Sequence, residues 1–356
     1  MTKTFLAINF GCRVNAAETN QWSQALIEKG YRPSTTCPSG RRVNDLPSII
    51  FVNTCAITKK GEIESLSKIR ILQKKFPDAK IIVTGCANFS KLKNIISIDN
   101  KNKEKILNNL KSFYTEKIND KFSSSRRFIL KIQSGCTQNC TYCIVPKKRP
   151  YLFSLPISDA IKTIKKIEND YDEIIITGVN LIQYKDGFSA LLEKILAETN
   201  IKLISFGSIP LNCIDEKFIK LLSNPRISHF LHIPIQSGSD RILKLMHRPY
   251  DTKKIINIFN KLKQIPLDKE GPPRSGGGGG DLSFGTDVIV GFPTETEQDF
   301  QDTLDICKKI NFKKIHTFRY SPRPNTEAQK LFEASPKILK TELKSRSAKI
   351  RNATRK

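Results

Sequence analysis

The sequence predicts an α/β protein with two domains, a Rossmann-like parallel α/β domain followed by a partial (β/α)6 barrel of the TIM type. The chain has 356 residues, of which 38% are hydrophobic, and this is enough for two ordinary cores. Short apolar runs alternate with segments of helical periodicity in two separate series. A polar stretch over residues 97–127 lies between the two series and marks a boundary near Ser123. We therefore predict domains over residues 1–122 and 123–334.

The first series contains apolar runs that alternate with helical patterns, as parallel α/β domains do. The predicted strands are 4–10, 48–53 and 80–85, and the predicted helices are 15–29 and 61–75. Each helix connects two consecutive strands, so the three strands should be parallel and end at the same edge of one sheet.

The second series repeats a strand and a helix six times, which predicts an open barrel. Its predicted strands are 128–133, 173–178, 202–207, 229–235, 287–292 and 314–320. Five consecutive glycines at 276–280 cannot belong to a regular element, and we interpret 268–285 as a flexible insertion. Residues 335–356 form a basic C-terminal tail, in which positions 337–356 carry eight Lys or Arg and one Glu.

The composition favours a polyanionic partner and a reducing compartment. Sixty Lys and Arg oppose 34 Asp and Glu, a net charge of +26, which favours nucleic acid through counterion release. A Lys-rich composition that binds no nucleic acid is the alternative. Nine cysteines in such a chain favour metal binding or catalysis over disulfides. No run of 18 apolar residues occurs, so we expect a cytoplasmic monomer without membrane contact.

Three cysteines, Cys136, Cys140 and Cys143, directly follow the first barrel strand in the sequence "GCTQNCTYC". Barrel enzymes build their sites at this end of the strands. Three thiolates can hold three irons of a [4Fe-4S] cluster and leave the fourth iron open to another ligand. A zinc site is the alternative, but it needs a fourth ligand, and the histidines at 229, 232, 247 and 316 are distant in sequence.

A second set of three cysteines, Cys12, Cys55 and Cys86, follows the three strands of the first domain in "GCRVN", "VNTCAIT" and "VTGCAN". Residues at the carboxyl ends of parallel strands face one crevice, where open α/β sheets bind ligands. A lone cysteine is more often a small buried hydrophobe, but three in the same topological position favour a second cluster with an open iron. Cys37, Cys213 and Cys307 lack this placement and are interpreted as structural.

The first triplet, with aromatic Tyr142 before its last cysteine, resembles the signature of the radical S-adenosylmethionine superfamily. With the second cysteine set and with "EIIITGVNL", "LHIPIQSGSDRILKLMHRPY", "TDVIVGFPTETEQDF" and "FRYSPRPNT", residues 4–326 resemble the methylthiotransferases. The resemblance implies S-adenosylmethionine on the open iron of the barrel cluster, a radical that abstracts hydrogen, and an auxiliary cluster that carries the inserted sulfur. It also implies an electron donor such as a flavodoxin or ferredoxin.

The motifs "TGVNL" and "SPRPNT" look most like the branch that modifies carbon 2 of N6-threonylcarbamoyladenosine beside the tRNA anticodon. A base in a single-stranded loop can be splayed into a barrel without breaking base pairs. The alternatives are isopentenyladenosine in tRNA and an aspartate of a ribosomal protein. An alternative of another class is a catalytically disabled iron-sulfur protein that binds RNA.

The resemblance also implies cofactor-binding residues in the barrel. Gly178 and Asn180 stand where the family holds the methionine amino group, although a glycine after a strand also serves a turn. Gln236 and Ser237 would contact ribose, and the competing interpretation is a helix N-cap. Asp287 begins the strand and turn on the adenine side, where backbone matters more than side chains, and Tyr320 with Arg323 completes the set. His229, His232 and His316 receive no role.

Predicted substrate contacts are the basic residues Lys147, Lys148, Arg149 and Arg323. The loop "PKKRPYLFSLP" departs from the family because Pro150 and Leu155 replace its usual residues, and Pro150 lacks a backbone donor. The family usually ends in a small RNA-binding β-barrel, the TRAM domain, which we do not find in this sequence. The basic tail either substitutes for it or forms a helix docked through Leu339, Leu343 and Ile350.

Overall fold

A computed structural model describes residues 3–34, 46–87, 89–90, 92–100, 102–103, 126–266 and 281–354. The chain divides into two units. Unit 1 is Met1–Ser124 with Ile144–Tyr151, and unit 2 is Ser125–Cys143 with Leu152–Lys356. Within the described residues, no helix is long and apolar enough to cross a membrane.

Unit 1 contains one parallel sheet with the strand order β2-β1-β3-β4-β5. Its strands are β1 (Thr4–Asn9), β2 (Arg32–Pro33), β3 (Ile49–Thr54), β4 (Lys80–Gly85) and β5 (Ile96–Ser97). Its helices are α1 (Arg13–Glu28), α2 (Lys59–Lys75) and the short α3 (Val145–Lys148). This is the doubly wound order of flavodoxin-like folds, in which chain direction across the sheet reverses between β1 and β3.

The described strands of unit 2 form two sheets. Strands β6 (Arg127–Ser134), β7 (Phe153–Ser154), β8 (Glu173–Gly178) and β9 (Leu203–Phe206) are ordered β7-β6-β8-β9, with β7 antiparallel. Strands β10 (Phe230–His232), β11 (Ser283–Val290) and β12 (Lys314–Arg319) form the second sheet. A parallel bridge between Ser208 and His232 connects the two sheets, so six strands follow one another in chain order as a partial barrel.

The helices of unit 2 follow its strands and cover the barrel. They are α4 (Ile157–Ile167), α5 (Phe188–Glu198), α6 (Glu216–Leu221), α7 (Asp240–Leu245), α8 (Thr252–Lys263), α9 (Glu297–Ile310), α10 (Glu327–Ala334) and α11 (Lys340–Asn352). Several begin at side-chain caps, and α9 begins at a complete capping box of Thr296 and Asp299. Apolar residues at helical spacing, such as Ile255 and Phe259 of α8, are fully buried.

The α/β class, the two parallel regions and all nine predicted strands agree with the sequence analysis, and β4 and β8 have the predicted bounds. The short strands β2, β5 and β7 were not predicted. Strand β11 begins at Ser283, so the last residues of the predicted insertion are strand, because "SFGTDVIV" pairs with both neighbours. The glycine run 276–280, Cys37 and the boundary at Ser123 lie outside the described residues.

Two segments differ from the predicted domain division. Residues 144–151 were assigned to the barrel from their position in the sequence, but they belong to unit 1. The basic tail contains α11, which packs against β12 and β11 of unit 2.

Candidate cluster sites

The three cysteines of unit 1 follow adjacent strands of its sheet. Cys12 comes after β1 at the N-cap of α1, Cys55 directly follows β3, and Cys86 directly follows β4. These positions lie at the carboxyl edge beside the point where the sheet reverses direction, which is where such sheets bind ligands. The loop after β1 lies close to the loop after β3. A Cβ on Gly11 would lie 2.8 Å from Cys55 Sγ, and Gly11 has φ of +93°, a conformation that favours glycine.

Two buried asparagines connect the loops that carry these cysteines. The Asn15 side-chain amide donates to the carbonyls of Phe10 and Thr54, both at 2.9 Å. The Asn53 amide donates to the Asn15 carbonyl at 2.9 Å. The ends of β1 and β3 are therefore held together by buried hydrogen bonds that orient Cys12 and Cys55.

A buried ionic cluster lies beside the same cysteines and consists of Glu18, Lys103 and Arg149, whose side chains are 2%, 3% and 5% exposed. Arg149 donates from Nη1 and Nη2 to the two Glu18 oxygens at 2.8 and 3.0 Å, a bidentate pair. Lys103 pairs with Glu18 and donates to Asn53 Oδ1 at 3.2 Å.

The pKa shifts place this ionic cluster close to the cysteine sulfurs. Burial lowers the pKa of Lys103 to about 8, although Glu18 acts in the opposite direction. Burial also acts to lower the pKa of Arg149, but Glu18 and then Cys86 raise it above its usual value. Burial raises the pKa of the Cys12 thiol, and Arg149 partly opposes this.

The charge of the ionic cluster fits an anionic iron-sulfur group. Two buried cations, Lys103 and Arg149, pair with the Glu18 carboxylate beside the three thiols. A buried cation is stabilised by a nearby anion. Three thiolates on a [4Fe-4S]2+ core carry about one negative charge, which these cations would stabilise. The residues of unit 1 therefore fit the cluster that the sequence predicts.

The cysteines of unit 2 lie in the loop that follows β6. Gln133, at the end of β6, is completely buried and donates to the Gly135 carbonyl at 2.8 Å. Its Oε1 accepts the Asn180 backbone N–H at 2.8 Å, and the Asn180 side-chain amide lies 3.5 Å from Cys136 Sγ. Hydrogen bonds to cluster sulfurs stabilise the charged form and orient the ligand.

A second donor to this loop is Arg248, whose Nη1 lies 3.4 Å from Cys140 Sγ. Its Nε donates to the Tyr250 hydroxyl at 2.8 Å. Burial acts to lower the Arg248 pKa, but Tyr142, Tyr250 and Cys140 raise it above its usual value. Arg248 therefore presents a cation to the thiolates, as suits an anionic cluster.

Neither cysteine triplet has its three sulfur atoms within 4.8 Å of one another in the described structure. Of the described His, Cys, Asp and Glu side chains, one group of three has ligand atoms all within 4.8 Å of one another, and it contains no cysteine. Zinc with Zn–S bonds of about 2.3 Å would bring its sulfurs closer than this.

The predicted cofactor residues lie around the carboxyl end of the barrel in unit 2. A Cβ on Gly178 would lie 2.7 Å from the Leu181 side chain, so glycine at this position lets the Leu181 side chain pack closely against the backbone. Tyr142 packs against apolar side chains such as Met246 and Ile289, and burial raises its pKa. The Tyr320 hydroxyl is buried and has no hydrogen-bond partner among the described residues, and burial raises its pKa to about 12.

The other predicted cofactor residues have internal partners. Gln236 has φ of +67° and exchanges backbone hydrogen bonds with β11, accepting from Ile289. The Ser237 hydroxyl is completely buried and lies 3.2 Å from Thr303 Oγ1. The helix N-cap in "QSGSD" is Ser239, at the start of α7. The Asp287 carboxylate faces His232 and His316.

The predicted substrate contacts differ in exposure. Lys147 is exposed and Lys148 is half-buried, whereas Arg149 and Arg323 are 5% and 3% exposed. The Arg149 side chain is directed into unit 1 towards Glu18 rather than to solvent. Of these four residues, Lys147 and Lys148 are accessible to a phosphate.

The comparisons with known proteins agree with both units. A family model described as the Radical SAM superfamily matches residues 130–307, and one described as Uncharacterized protein family UPF0004 matches residues 4–108. The Thermotoga maritima threonylcarbamoyladenosine tRNA methylthiotransferase MtaB is 32% identical over 96% of this chain and 80% of its own. The chain belongs to the radical S-adenosylmethionine methylthiotransferase family.

One further relative shares the name MtaB, and another has a different name. The MtaB of Aquifex aeolicus is 31% identical over 93% of this chain and 84% of its own. The tRNA-2-methylthio-N(6)-dimethylallyladenosine synthase of Helicobacter acinonychis is 31% identical over 92% of this chain and 77% of its own. This methylthiotransferase is an enzyme that uses S-adenosylmethionine and two [4Fe-4S] clusters, as the sequence predicted.

Solved structures support the fold of this methylthiotransferase. The radical S-adenosylmethionine methyltransferase TsrM from Kitasatospora setae matches with a TM-score of 0.67 and 10% identity, over 92% of this chain and 77% of its own. The cobalamin-dependent enzyme OxsB matches with a TM-score of 0.54 and 14% identity, over 99% of this chain and 56% of its own. At these identities the likeness concerns the fold alone.

Sequence reasoning missed the partners of the cysteines in this methylthiotransferase. Gln133 was included in a predicted strand, where its position as the last polar residue before "SGC" could have indicated a role. Arg248 was within a quoted motif without an assignment. Glu18 and Lys103 gave no signal, because Glu18 meets Arg149 and Lys103 only through contacts that are 131 and 85 residues apart in sequence.

Proposed function

We propose that this methylthiotransferase adds a methylthio group to carbon 2 of N6-threonylcarbamoyladenosine next to the tRNA anticodon. The observation that carries the proposal is that three relatives named for threonylcarbamoyladenosine are 30–32% identical and align with 93–96% of the chain. The motifs "TGVNL" and "SPRPNT" favour the same branch. Relatives named for dimethylallyladenosine are nearly as similar and give the alternative substrate.

In this proposal each unit holds one cluster through its own cysteines. Cys12, Cys55 and Cys86 ligate the cluster of unit 1, and Cys136, Cys140 and Cys143 ligate the cluster of unit 2. When bound, the two clusters and S-adenosylmethionine supply sulfur, a methyl group and radical chemistry at an unactivated carbon. S-adenosylmethionine lies among Tyr142, Gly178, Asn180, Gln236, Ser237, Asp287 and Tyr320.

The protein contributes orientation and electrostatics at each site. Asn180 and Arg248 direct N–H groups at Cys136 and Cys140, at 3.5 and 3.4 Å, and stabilise charged sulfur. In unit 1 the buried cations Lys103 and Arg149 do the same. The Tyr320 hydroxyl, which is buried and has no partner in the described part of the chain, is available to donate a hydrogen bond to the bound cofactor.

The substrate reaches the site as a single-stranded nucleotide. An anticodon-loop base can leave its stack at a small cost, and the net charge of +26 attracts the surrounding phosphates. Lys147 and Lys148, which follow the cluster loop in sequence, contact the phosphate backbone in this proposal.

The test is an anaerobic assay on anticodon stem-loops that differ only at the modified adenosine. One carries N6-threonylcarbamoyladenosine, one carries N6-dimethylallyladenosine, and one carries plain adenosine. We expect mass spectrometry of the digested nucleosides to find a methylthio product from the first loop. A product from the dimethylallyl loop alone, or from none of the three while S-adenosylmethionine is cleaved, would contradict the proposed substrate.

A further inference from the structure

Three polar side chains meet in the barrel of unit 2. They are His232 on β10, Asp287 on β11 and His316 on β12, and their ligand atoms all lie within 4.8 Å of one another. Two of them, the histidines, have no role in the proposed reaction, and at the third position that reaction uses the backbone rather than the carboxylate. We propose that this trio binds a first-row divalent metal ion, distinct from both cysteine sites.

The sheet register brings the trio to one face. Asp287 is the register partner of His316, and His232 is the partner of Gly285, two residues before Asp287 on the same side of β11. Phe284, on the opposite side of β11, packs edge-on against Phe259 of α8 at 5.0 Å. The trio therefore lies on the face of the sheet that is turned away from α8.

Gly285 provides the space that lets His232 reach Asp287. A Cβ at this position would lie 2.8 Å from His232 Nδ1 and 2.8 Å from the Phe230 ring. Any other residue here would displace the imidazole. The contact between His232 and Asp287 therefore depends on the glycine that β11 has at this position.

The distances within the trio match those between ligands of one ion. His232 Nε2 and His316 Nδ1 lie 3.0 and 3.2 Å from the same oxygen, Asp287 Oδ1. Two ligands bound about 2.1 Å from a metal at tetrahedral or octahedral angles are separated by about 3.0–3.4 Å. A small rotation of the side chains would place an ion among the three atoms.

The charge of the trio favours a cation over an anionic ligand. In the described part of the chain, the ion pairs of Asp287 are with the two histidines, and neither a lysine nor an arginine neutralises it. Imidazole binds metals in its neutral form, so a trio that holds an ion contributes one negative charge, from its carboxylate. It would repel a carboxylate or phosphate and attract a divalent ion.

The ligand types indicate the class of metal. Two imidazoles and one carboxylate suit zinc or ferrous iron better than magnesium or calcium, which prefer oxygen. Three protein ligands leave positions for water or for an oxygen of a bound molecule. His316 is 45% exposed, so these positions are accessible from solvent.

The experiment uses the full chain with reconstituted clusters and without an affinity tag, with added Zn²⁺ as the probe. After gel filtration, we expect about one zinc per chain in the wild type. The variants Asp287→Asn and His316→Gln should lose it while their iron content is unchanged. Asp305→Asn, at an exposed carboxylate on α9, is the matched control and should retain the zinc.

Zinc X-ray absorption distinguishes the trio from cysteine ligands. We expect a first shell of nitrogen and oxygen at about 2.0–2.1 Å with no sulfur near 2.3 Å. The proposal is overturned if the wild type binds no zinc, if both trio variants bind as much zinc as the control, or if the first shell contains sulfur. Circular dichroism confirms that each variant is folded.

Discussion

Glu18, whose charge is buried, is the residue on which the geometry of unit 1 depends most. Its carboxylate accepts hydrogen bonds from Nη1 and Nη2 of Arg149 and also pairs with Lys103. All three side chains are at most 5% exposed. Removing one partner of a buried ionic group leaves an uncompensated charge, which is more costly than losing a surface ion pair.

Glu18→Gln should therefore destabilise unit 1 strongly. We expect the free energy of unfolding to fall by about 3–5 kcal/mol, because two buried cations lose the carboxylate that pairs with them. The chain has one tryptophan, Trp22, which is buried in unit 1 beside Lys103. Its fluorescence in a urea titration of the cluster-free protein reports on this unit.

The matched control is Glu64→Gln, at an exposed carboxylate of α2 that pairs with Lys60. It should leave the urea midpoint nearly unchanged, since surface pairs contribute little. An equal shift in both variants would mean that the ionic cluster of Glu18, Lys103 and Arg149 has no special role.

For single residues, the sequence predicted the cysteine ligands but not the side chains that surround them. The cysteines that follow three strands could be predicted to lie together, because hydrophobic periodicity in the sequence locates the ends of strands. The pairing of Glu18 with Arg149 depends on how a segment after the barrel cluster loop folds back onto unit 1. Arg149 was consequently predicted as a substrate contact, a role that its burial does not favour.

Helix α11 is the element whose role the sequence left open. Its Ile350 is completely buried, and Leu343 packs against Gly291. Arg346 donates to Glu295 at 2.8 Å and also pairs with Glu297 and Glu342. These contacts favour the interpretation of a docked helix, but Leu339, which was expected to dock, is 70% exposed.

Ile350→Ala should destabilise unit 2. Truncating a buried aliphatic side chain costs about 2–5 kcal/mol through lost burial and the cavity that remains. We expect a lower midpoint of thermal unfolding by circular dichroism, and faster hydrogen exchange in β12, which α11 contacts. Leu339→Ala, at an exposed position of the same segment, should change neither quantity. Unchanged exchange in the Ile350 variant would show that the helix does not support the barrel.

The long strands were predictable because alternating and continuous apolar runs are strong local signals. Strands of two residues, such as β2 and β5, contain no periodicity and form only because a neighbouring strand offers hydrogen bonds. The start of β11 was hidden by the adjacent glycine run, whose composition dominates the local pattern.

The net charge of +26 is a property of the whole molecule and should govern its affinity for tRNA. Each neutralised phosphate adds about 0.7–0.9 to the slope of log affinity against log salt. The basic pair Lys147 and Lys148 is the most specific candidate for such contacts, because it follows the cluster loop directly.

Reversing both charges, Lys147→Glu with Lys148→Glu, should weaken binding of an anticodon stem-loop and reduce the salt slope by about 1–2. The matched control reverses Lys74 and Lys75, a basic pair in the last turn of α2. Titrations over a series of salt concentrations give both slopes. If the control reduces the slope equally, the attraction is diffuse and no contact can be assigned to the pair.

The central claim is that two three-cysteine sites in separate units perform different parts of one reaction. The most direct measurement replaces Cys12, Cys55 and Cys86 by alanine and follows three quantities: iron content, reductive cleavage of S-adenosylmethionine and methylthio product. We expect half of the iron, continued cleavage to 5′-deoxyadenosine, and no methylthio nucleoside. A variant that keeps all its iron, or that loses cleavage together with the product, would contradict the account.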